Sequence, residues 1–357
     1  MRYNGQRCVG HLDRSCFSLL INSADRFRWG KGYRMAVRNE SIGDPEWNPQ
    51  PIGEKFYRPK GNFGGLQNKE WFLFLLFILP NFFFLALFTY WPLVRNFQLS
   101  LQTVNPFTRV SVYAGLDNYR WLFNDRVFRL VATNTAIFII SCVLFTLGFG
   151  LLFALLLNER LKGRTAVRAI VFAPYLIAGS AVALVWAYIF NPRYGLIAQM
   201  LGWFDITSPR WLEDPDWALA AIIIVYVWKN LGFATVVFLA GLQGIPKDLY
   251  EAAKLDGASA WWRFRSVTLP MLSPISFFLM VTSVLATFQA FDIQDVMTGG
   301  GPAYATTTLV YYVYDQGWQA QRWERAAAAA VVLFFLMLIV TIAQTLWERK
   351  QVHYDGK

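Results

Sequence analysis

The sequence has 357 residues, of which 55% are hydrophobic, 17% aromatic and only 16% charged. Soluble domains carry roughly 25% charged residues, so this composition excludes an ordinary soluble domain and favours lipid as the surrounding solvent. The formal net charge is +10, but the basic residues lie between apolar runs and form no basic face with interleaved aromatics. Nucleic acid is therefore not an expected partner.

Six apolar stretches are each long enough to cross a bilayer, which takes about 20 residues. They are 71–94, 130–157, 169–190, 217–242, 271–291 and 326–347. Hydrocarbon offers the backbone no hydrogen-bond partner, so each stretch is predicted to be an α-helix, and the chain an all-α integral membrane protein of six transmembrane helices. Five stretches carry no charged residue, and the fourth carries only Lys229. Pro80, Pro92 and Pro174 predict local kinks.

The distribution of basic residues predicts the orientation. Lys and Arg are more than twice as dense in 158–168, 243–270 and 348–357 as in the loops on the other side of the predicted membrane. Basic loops stay in the cytoplasm, so we expect a cytoplasmic N-terminus. Residues 1–70 are polar and predict a flexible cytoplasmic extension, and residues 351–357 predict a cytoplasmic tail.

The segment 243–270 joins the fourth and fifth predicted spans on the cytoplasmic side. Pro246 suits the first turn of a helix, and Asp248 and Glu251 complement the positive end of the helix dipole. Gly257 is suited to ending that helix. A second short helix with adjacent tryptophans and arginines follows. These features predict a rigid helix–bend–helix element that transmits motion from a cytoplasmic partner to the membrane.

The spacing of this segment is more specific than its composition. Glu251-Ala252-Ala253, Gly257, Val267 and Leu269-Pro270 resemble the EAA loop of binding-protein-dependent ABC permeases, with Val267 where the family usually has Ile. The resemblance extends over roughly residues 70–350. It includes segments similar to the maltose and glycerol-3-phosphate permease group: Asn118-Tyr119, Asn134-Thr135, Gly232-Phe233, Thr298–Pro302 and Thr306–Leu309.

The resemblance implies a type I ABC importer permease fold in the bacterial cytoplasmic (inner) membrane. It implies as partners a second permease subunit, two copies of an ATP-binding-cassette ATPase, an extracytoplasmic solute-binding protein and membrane lipid. Glu251, Ala252, Ala253 and Gly257 are implied at the ATPase interface, and Asp256 falls within the same motif. The chain has no Gly-x-x-x-x-Gly-Lys-Ser/Thr loop, so ATP and Mg²⁺ are expected on the partner ATPase, and no cofactor on this chain.

Polar groups at membrane depth are candidates for the solute path. Lys229 and Asn230 interrupt the fourth span, and Lys229 either attracts a solute or pairs with a carboxylate or helix-end carbonyls of the companion subunit. The resemblance places the regions around Gly232 and around Phe288 and Gln289 at the solute site. Amide and aromatic groups suit sugars, although aromatics in a membrane helix also serve packing and lipid contact.

The expected function is therefore carbohydrate import, with a glycerol-3-phosphate or related phosphorylated-polyol permease as the alternative. An ion-coupled secondary transporter is an alternative of another class, but the spans contain no carboxylate for ion coupling. No metal-ligand cluster or paired carboxylates appear in the spans, so neither a metal site nor a catalytic residue is expected, and the chain is not predicted to be an enzyme.

Overall fold

A computed structural model of the chain describes residues 68–104, 110–159 and 163–351, and the side chains at 68–70, 72, 104 and 349–351 are left undescribed. The predicted extension over 1–70 therefore falls almost wholly outside the described residues, as does the predicted tail beyond Gln351. The described part is mainly helical. Its only sheet is a two-stranded antiparallel pair in which Thr103 lies opposite Val112.

The elements follow one another with short connections. The helices are α1 (Asn68–Leu85), α2 (Trp91–Ser100), α3 (Asp117–Asn124), α4 (Arg126–Asn158), α5 (Arg164–Leu176), α6 (Gly179–Ile189), α7 (Leu196–Gly202), α8 (Pro215–Gly244), α9 (Lys247–Leu255), α10 (Ala260–Arg263), α11 (Leu269–Met271), α12 (Ser273–Phe288), α13 (Asp292–Thr298), α14 (Leu309–Tyr314) and α15 (Trp323–Gln351). The strands are β1 (Gln102–Val104) and β2 (Ser111–Tyr113).

Four helical segments in the described residues are long and apolar enough to span a membrane, or six if each of two bent helix pairs counts as one span. The four are Leu73–Ser100, Arg126–Asn158, Pro215–Gly244 and Trp323–Glu348. In one bent pair, α5 and α6 meet at 101°; in the other, Ala260–Met271 and α12 meet at 64°. The continuous helix predicted over 169–190 is thus broken at residues 177 and 178. Pro174 lies in the last turn before this break, and Ile177 and Ala178 are extended.

Two π-helical turns precede prolines. The turn Ala86–Tyr90 lies before Pro92, and the turn Phe264–Thr268 lies before Pro270. Proline has no N–H to donate and its ring crowds the carbonyl four residues earlier, so the preceding turn widens. The irregularity predicted at Pro92 is present in this form, whereas Pro80 lies inside the continuous helix α1.

Helices α4 and α8 form the centre of the fold. One buried cluster joins α4, α6, α8 and α13 and includes Phe138, Ile222 and Ile293. A second joins α4, α8 and α12, and a third joins α3, α4, α14 and α15. The outward faces of α1, α2 and α15 carry exposed apolar side chains. Such faces are expected on helices that contact lipid or a partner subunit.

Candidate functional site: a polar intramembrane cavity and an exposed helical elbow

A cavity of about 190 Å³ lies between α4, α5, α8 and α12. Its wall is largely apolar but includes several hydroxyl groups and one amide. The lining residues are Cys142, Thr146, Tyr175, Tyr226, Asn230, Phe233, Thr282, Ser283, Ala286 and Thr287. Hydroxyl and amide groups at this depth are unfavourable against lipid, so their convergence on one space indicates a site for water or a polar solute.

The hydrogen bonds inside the wall leave acceptor atoms free. Thr282 and Thr287 donate their hydroxyl protons to the carbonyls of Phe278 and Ser283, at 2.8 and 2.6 Å. Asn230 Nδ2 likewise donates to the Tyr226 carbonyl at 2.8 Å. Each bond occupies a donor, so the Thr282 oxygen and Asn230 Oδ1 keep acceptor capacity for hydroxyl groups in the cavity, whereas the Thr287 hydroxyl also bonds the Tyr226 hydroxyl.

Thr146 adds a buried hydroxyl group to the cavity wall. The residue is 4% exposed, and within the described part of the chain its hydroxyl oxygen has no hydrogen-bond partner. A buried hydroxyl without a partner costs about 1–3 kcal/mol.

Lys229 stands one ring away from the cavity. Its ammonium nitrogen lies 5.6 Å from the ring centre of Tyr175. The Tyr175 ring in turn stacks on the ring of Phe233, with 5.1 Å between the ring centres. Lys229 is half-buried near the middle of α8. Among the described residues no carboxylate lies within ion-pair distance of it, the one recorded pair being Arg120 with Asp117.

The other residues predicted along the solute path lie elsewhere. Gly232 is buried, and a methyl group at its Cα would overlap the Val171 carbonyl oxygen of α5; it sets a close helix contact and does not line the cavity. Phe288 lies in an apolar groove between α4, α12 and α15. Gln289 is exposed just beyond the end of α12. Of the predicted set, the cavity wall includes only Asn230.

Sequence reasoning missed most of the cavity wall. Thr146, Tyr175, Tyr226 and the hydroxyls of α12 lie in stretches that read as uniformly apolar. Two spacings identify them. Hydroxyl residues occur at i, i+1 and i+5 in α12 (Thr282, Ser283 and Thr287), and polar residues occur at i and i+4 in α8 (Tyr226 and Asn230). These spacings become specific only once the helices are packed together.

The segment after α8 forms an exposed elbow. Ile245 is 7% exposed and joins a buried cluster, which fixes the start of α9 to the helix bundle. Tyr250 and Thr268 join their hydroxyls at 3.0 Å and tie α9 to the π-helical turn ahead of α11. Ala253 is buried on the same side, at 5% exposure. These contacts hold α9 as a fixed arm on the bundle.

The opposite side of α9 is exposed in the described part of the chain. Glu251, Ala252, Asp256 and Gly257 are exposed, and Leu255 is 89% exposed. Of the five residues predicted at an ATPase interface, four therefore lie on the open face, and the fifth, Ala253, faces the bundle. An exposed leucine beside small residues is typical of a surface that a partner covers.

Gly257 ends α9 in a Schellman motif. Its φ is +74°, the Ala258 amide donates to the Ala253 carbonyl at 2.9 Å, and the Gly257 amide donates to that of Lys254 at 3.1 Å. Ser259 then caps α10 by accepting from the Trp262 amide at 3.3 Å. The left-handed conformation at Gly257 sets the angle between the two short helices, as the sequence predicts.

The threonine-rich segment Thr298–Leu309, which follows α13, closes onto α4. Asn134 donates to the Tyr304 carbonyl at 2.8 Å, and the Leu309 amide donates to the Thr135 hydroxyl at 2.9 Å. Thr308 donates to Gln294 Oε1 at 2.7 Å. The two segments that resembled permeases on sequence, Asn134-Thr135 and Thr306–Leu309, are therefore one hydrogen-bonded structure.

Comparison with known proteins identifies the family. Residues 146–353 match the model of the binding-protein-dependent transport system inner membrane component. The chain belongs to this family. It is thus a multi-pass membrane permease component, and the match covers α5, α8, α12, the second part of α4 and the elbow.

Individual relatives cover most of the chain. The trehalose/maltose transport system permease protein MalF of Thermococcus litoralis is 39% identical over 244 residues, 68% of this chain and 83% of that protein. The sn-glycerol-3-phosphate transport system permease protein UgpA of Pectobacterium atrosepticum is 33% identical over 286 residues, 80% and 96% of the two chains.

The fold also matches a solved transporter. The crystal structure of a bacterial ABC transporter involved in the import of the acidic polysaccharide alginate aligns with a TM-score of 0.69 and 27% identity, covering 79% of this chain and 96% of that one. The type I ABC importer permease fold that the elbow motif predicted is confirmed.

Proposed function

We propose that this chain is the permease subunit of an ATP-binding-cassette importer that moves a carbohydrate across the cytoplasmic membrane. The observation that carries the proposal is the hydroxyl-lined cavity at the centre of an apolar helix bundle. Relatives named for trehalose, maltose and alginate transport support a saccharide as the solute.

The chemistry of the cavity suits a sugar ring. Sugar hydroxyls both donate and accept, and the wall offers the acceptors of Thr282 and Asn230 together with the phenolic hydroxyl of Tyr175. The tyrosine rings also provide flat apolar surface for the C–H face of a pyranose. No carboxylate is among the described residues that line the cavity, so an ion-coupled secondary mechanism lacks the group that usually carries the coupling ion at this site.

A phosphorylated polyol is the second candidate solute, and Lys229 is the observation that favours it. A half-buried ammonium without a carboxylate partner among the described residues is unfavourable, and an anionic group on a solute beyond Tyr175 would offset its charge. The relative named for sn-glycerol-3-phosphate transport is consistent with this candidate. In the carbohydrate proposal, Lys229 instead rests on the ring face of Tyr175 and keeps that ring in place for the sugar.

Uptake competition separates the two solute classes. The importer, reconstituted in liposomes with its binding protein, is expected to lose uptake of a labelled sugar when unlabelled maltose or trehalose is present, and not when sn-glycerol 3-phosphate is present. In the carbohydrate proposal Lys229→Met reduces sugar uptake only modestly. The opposite result is that only sn-glycerol 3-phosphate competes and that Lys229→Met abolishes this competition. That result would make a phosphorylated polyol the solute.

The elbow supplies the coupling to ATP hydrolysis in this proposal. The exposed face of α9, with Glu251, Ala252, Asp256 and Gly257, seats in a cleft of one ATPase subunit, while Ala253 packs the helix on the bundle. A second permease completes the pathway, and two ATPase copies bind ATP and Mg²⁺. Closure of the ATPases moves α9, and the Tyr250–Thr268 contact passes the motion to α11 and α12.

Orientation follows from the same proposal. Helix α9 continues directly from the end of α8, and α13 follows the far end of α12, so the elbow and the threonine-rich segment lie at opposite ends of the bundle. The elbow faces the cytoplasm and the threonine-rich segment faces the solute-binding protein. This orientation agrees with the density of basic residues and places the N-terminus in the cytoplasm.

A charge reversal on the elbow tests the coupling role. Glu251→Lys places a cation on the exposed face of α9, and Glu213→Lys makes the same change on an exposed residue before α8, at the other end of the bundle. Glu251→Lys is expected to abolish solute-stimulated ATP hydrolysis and uptake while the assembly and its binding protein remain intact. Glu213→Lys serves as the control. Equal activity of both variants would contradict the assigned role of α9.

A further inference from the structure

Two of the helices that line the solute cavity end shortly after the residues that they contribute to it. Helix α5 carries Tyr175 and is followed, after the 101° break, by α6, which begins at Gly179. Helix α12 carries Thr287 and is followed by α13, which begins at Asp292. The cavity wall is therefore held in place partly by what fixes the starts of α6 and α13.

The starts of these two helices touch each other. A methyl group added at Gly179 would overlap the Asp292 carboxylate, and the three atoms nearest to it would all belong to the Asp292 side chain. Gly179 is buried, whereas Asp292 is exposed. The carboxylate thus lies against the backbone at the start of α6, in space that a glycine leaves open and any other residue would fill.

The charges at this contact are complementary. The first amides of a helix have no partner within the helix, and its N-terminus carries a partial positive charge. The residue before α6 is Ala178, which makes no side-chain cap. Asp292 Oδ1 accepts a hydrogen bond from the Ile293 amide at 3.0 Å, and Oδ2 is the atom that comes nearest to the added methyl group. One oxygen therefore serves α13 while the other faces α6.

The contact is backed by a buried cluster that reaches the cavity. Val182 and Ala183 of α6 and Ile293 of α13 belong to one buried cluster with Tyr226 of α8. Tyr226 lines the cavity and is within electrostatic reach of Asp292. A displacement of α6 from α13 would therefore be felt by the cavity wall, because close-packed side chains transmit such shifts.

We propose that Asp292 is a positioning residue for transport, whose carboxylate clamps the start of α6 to the start of α13. The clamp fixes the part of the cavity wall that Tyr175, Tyr226 and Thr287 form. The inference rests on the proposed function, since it takes this cavity to be the solute site. Without the clamp the fold persists, but a smaller fraction of the permease has a formed cavity, and the apparent affinity for solute falls in proportion.

A simpler role for Asp292 makes a different prediction. Asp292 and Asp295 both lie in the first turn of α13, where a carboxylate stabilises its own helix through the helix dipole. If Asp292 acted only in this way, Asp295 would be equivalent to it and the space at Gly179 would not matter. The clamp requires Asp292 and Gly179 to act as a pair.

The test is a double-mutant cycle on maltose uptake by the complete reconstituted importer with its binding protein. Asp292→Ala and Gly179→Ala are each expected to raise the KM by about twofold to fivefold, the range of one charge at a helix N-terminus, with kcat and the unfolding midpoint near wild type. The double variant should be no worse than Asp292→Ala, because the methyl group then occupies the space of the missing carboxylate. Asp295→Ala serves as the control for charge. Gly202→Ala is the control for the methyl group, which would meet nothing within 4 Å there.

The possible failures can be told apart. Additive effects of Asp292→Ala and Gly179→Ala, or an equal rise in KM for Asp295→Ala, would overturn the clamp and leave the importer assignment standing. A lower unfolding midpoint with an unchanged KM would show that the contact is only structural and would overturn the clamp as well. If the wild type takes up no maltose or trehalose, the carbohydrate assignment fails, and the same cycle measured with sn-glycerol 3-phosphate decides on the clamp.

Discussion

Replacement of Gly232 by alanine tests how tightly the cavity helices are packed. A methyl group at this position would overlap the Val171 carbonyl oxygen and lie 2.7 Å from Phe172 Cα, and both are backbone atoms of α5. Backbone cannot rotate away as a side chain can, so α5 must move. Overpacking of this kind costs about 1–3 kcal/mol.

The displacement reaches the solute site. Tyr175 belongs to α5, one turn after Phe172, and its ring stacks on Phe233 of α8 while it lines the cavity. Gly232→Ala is therefore expected to disturb the cavity wall as well as stability. Since a domain of 150–250 residues loses about 2–4 °C of Tm per kcal/mol, the unfolding midpoint should fall by several degrees, and the KM for uptake should rise.

The assay compares two glycines of the same helix. Gly244 lies near the end of α8, and a methyl group there would meet nothing within 4 Å, so Gly244→Ala should leave the midpoint and uptake unchanged. Thermal unfolding of the purified complex, followed by intrinsic fluorescence, and uptake in liposomes measure both quantities. Equal midpoints for Gly232→Ala and Gly244→Ala would refute the argument from close helix packing.

Three further variants test separate parts of the structure. Asn134→Leu removes the bond to the Tyr304 carbonyl and should lower stability by about 1–3 kcal/mol, measured by thermal unfolding, while Thr133→Leu on the exposed face of α4 should not; equal losses would contradict the role of the bond. Thr146→Val removes the unpaired hydroxyl, so stability should change by under about 1 kcal/mol while the KM for sugar rises; an unchanged KM would mean that this oxygen does not meet the solute. Gly257→Ala forces alanine into a left-handed conformation that costs about 1–2 kcal/mol, so stimulated ATP hydrolysis should fall further than in Gly257→Asn, which tolerates that conformation; the reverse order would contradict the Schellman corner.

The elements that sequence predicts well are those set by local chemistry. Apolar runs of sufficient length indicated the helices, because lipid requires internal backbone hydrogen bonding. The elbow was likewise accessible, since Pro246, Gly257 and the spacing of the EAA motif act within a few residues. The break between α5 and α6 was not, because Pro174 predicts a kink but not the 101° angle.

The solute cavity lay beyond prediction for a different reason. Helix α8 is apolar on nearly every face, so its sequence gives no preferred direction for Asn230 or Gly232. One faces the cavity and the other faces α5, and only the packing of four helices decides between them. Phe288 illustrates the same limit, since its burial in an apolar groove depends on α15, more than 30 residues later in the chain.

Cross-linking from Leu255 tests the central claim, that α9 docks on an ATPase from the cytoplasmic side. With the native cysteines replaced by serine, Leu255→Cys in inverted membrane vesicles is expected to cross-link to the ATPase subunit. The yield of this cross-link is expected to change when ATP is added. Trp203→Cys, at the other end of the bundle, should react with an impermeant maleimide only in intact cells. A Leu255→Cys variant that reacts with the reagent from outside the cell, or that cross-links to no nucleotide-hydrolysing subunit, would contradict the account.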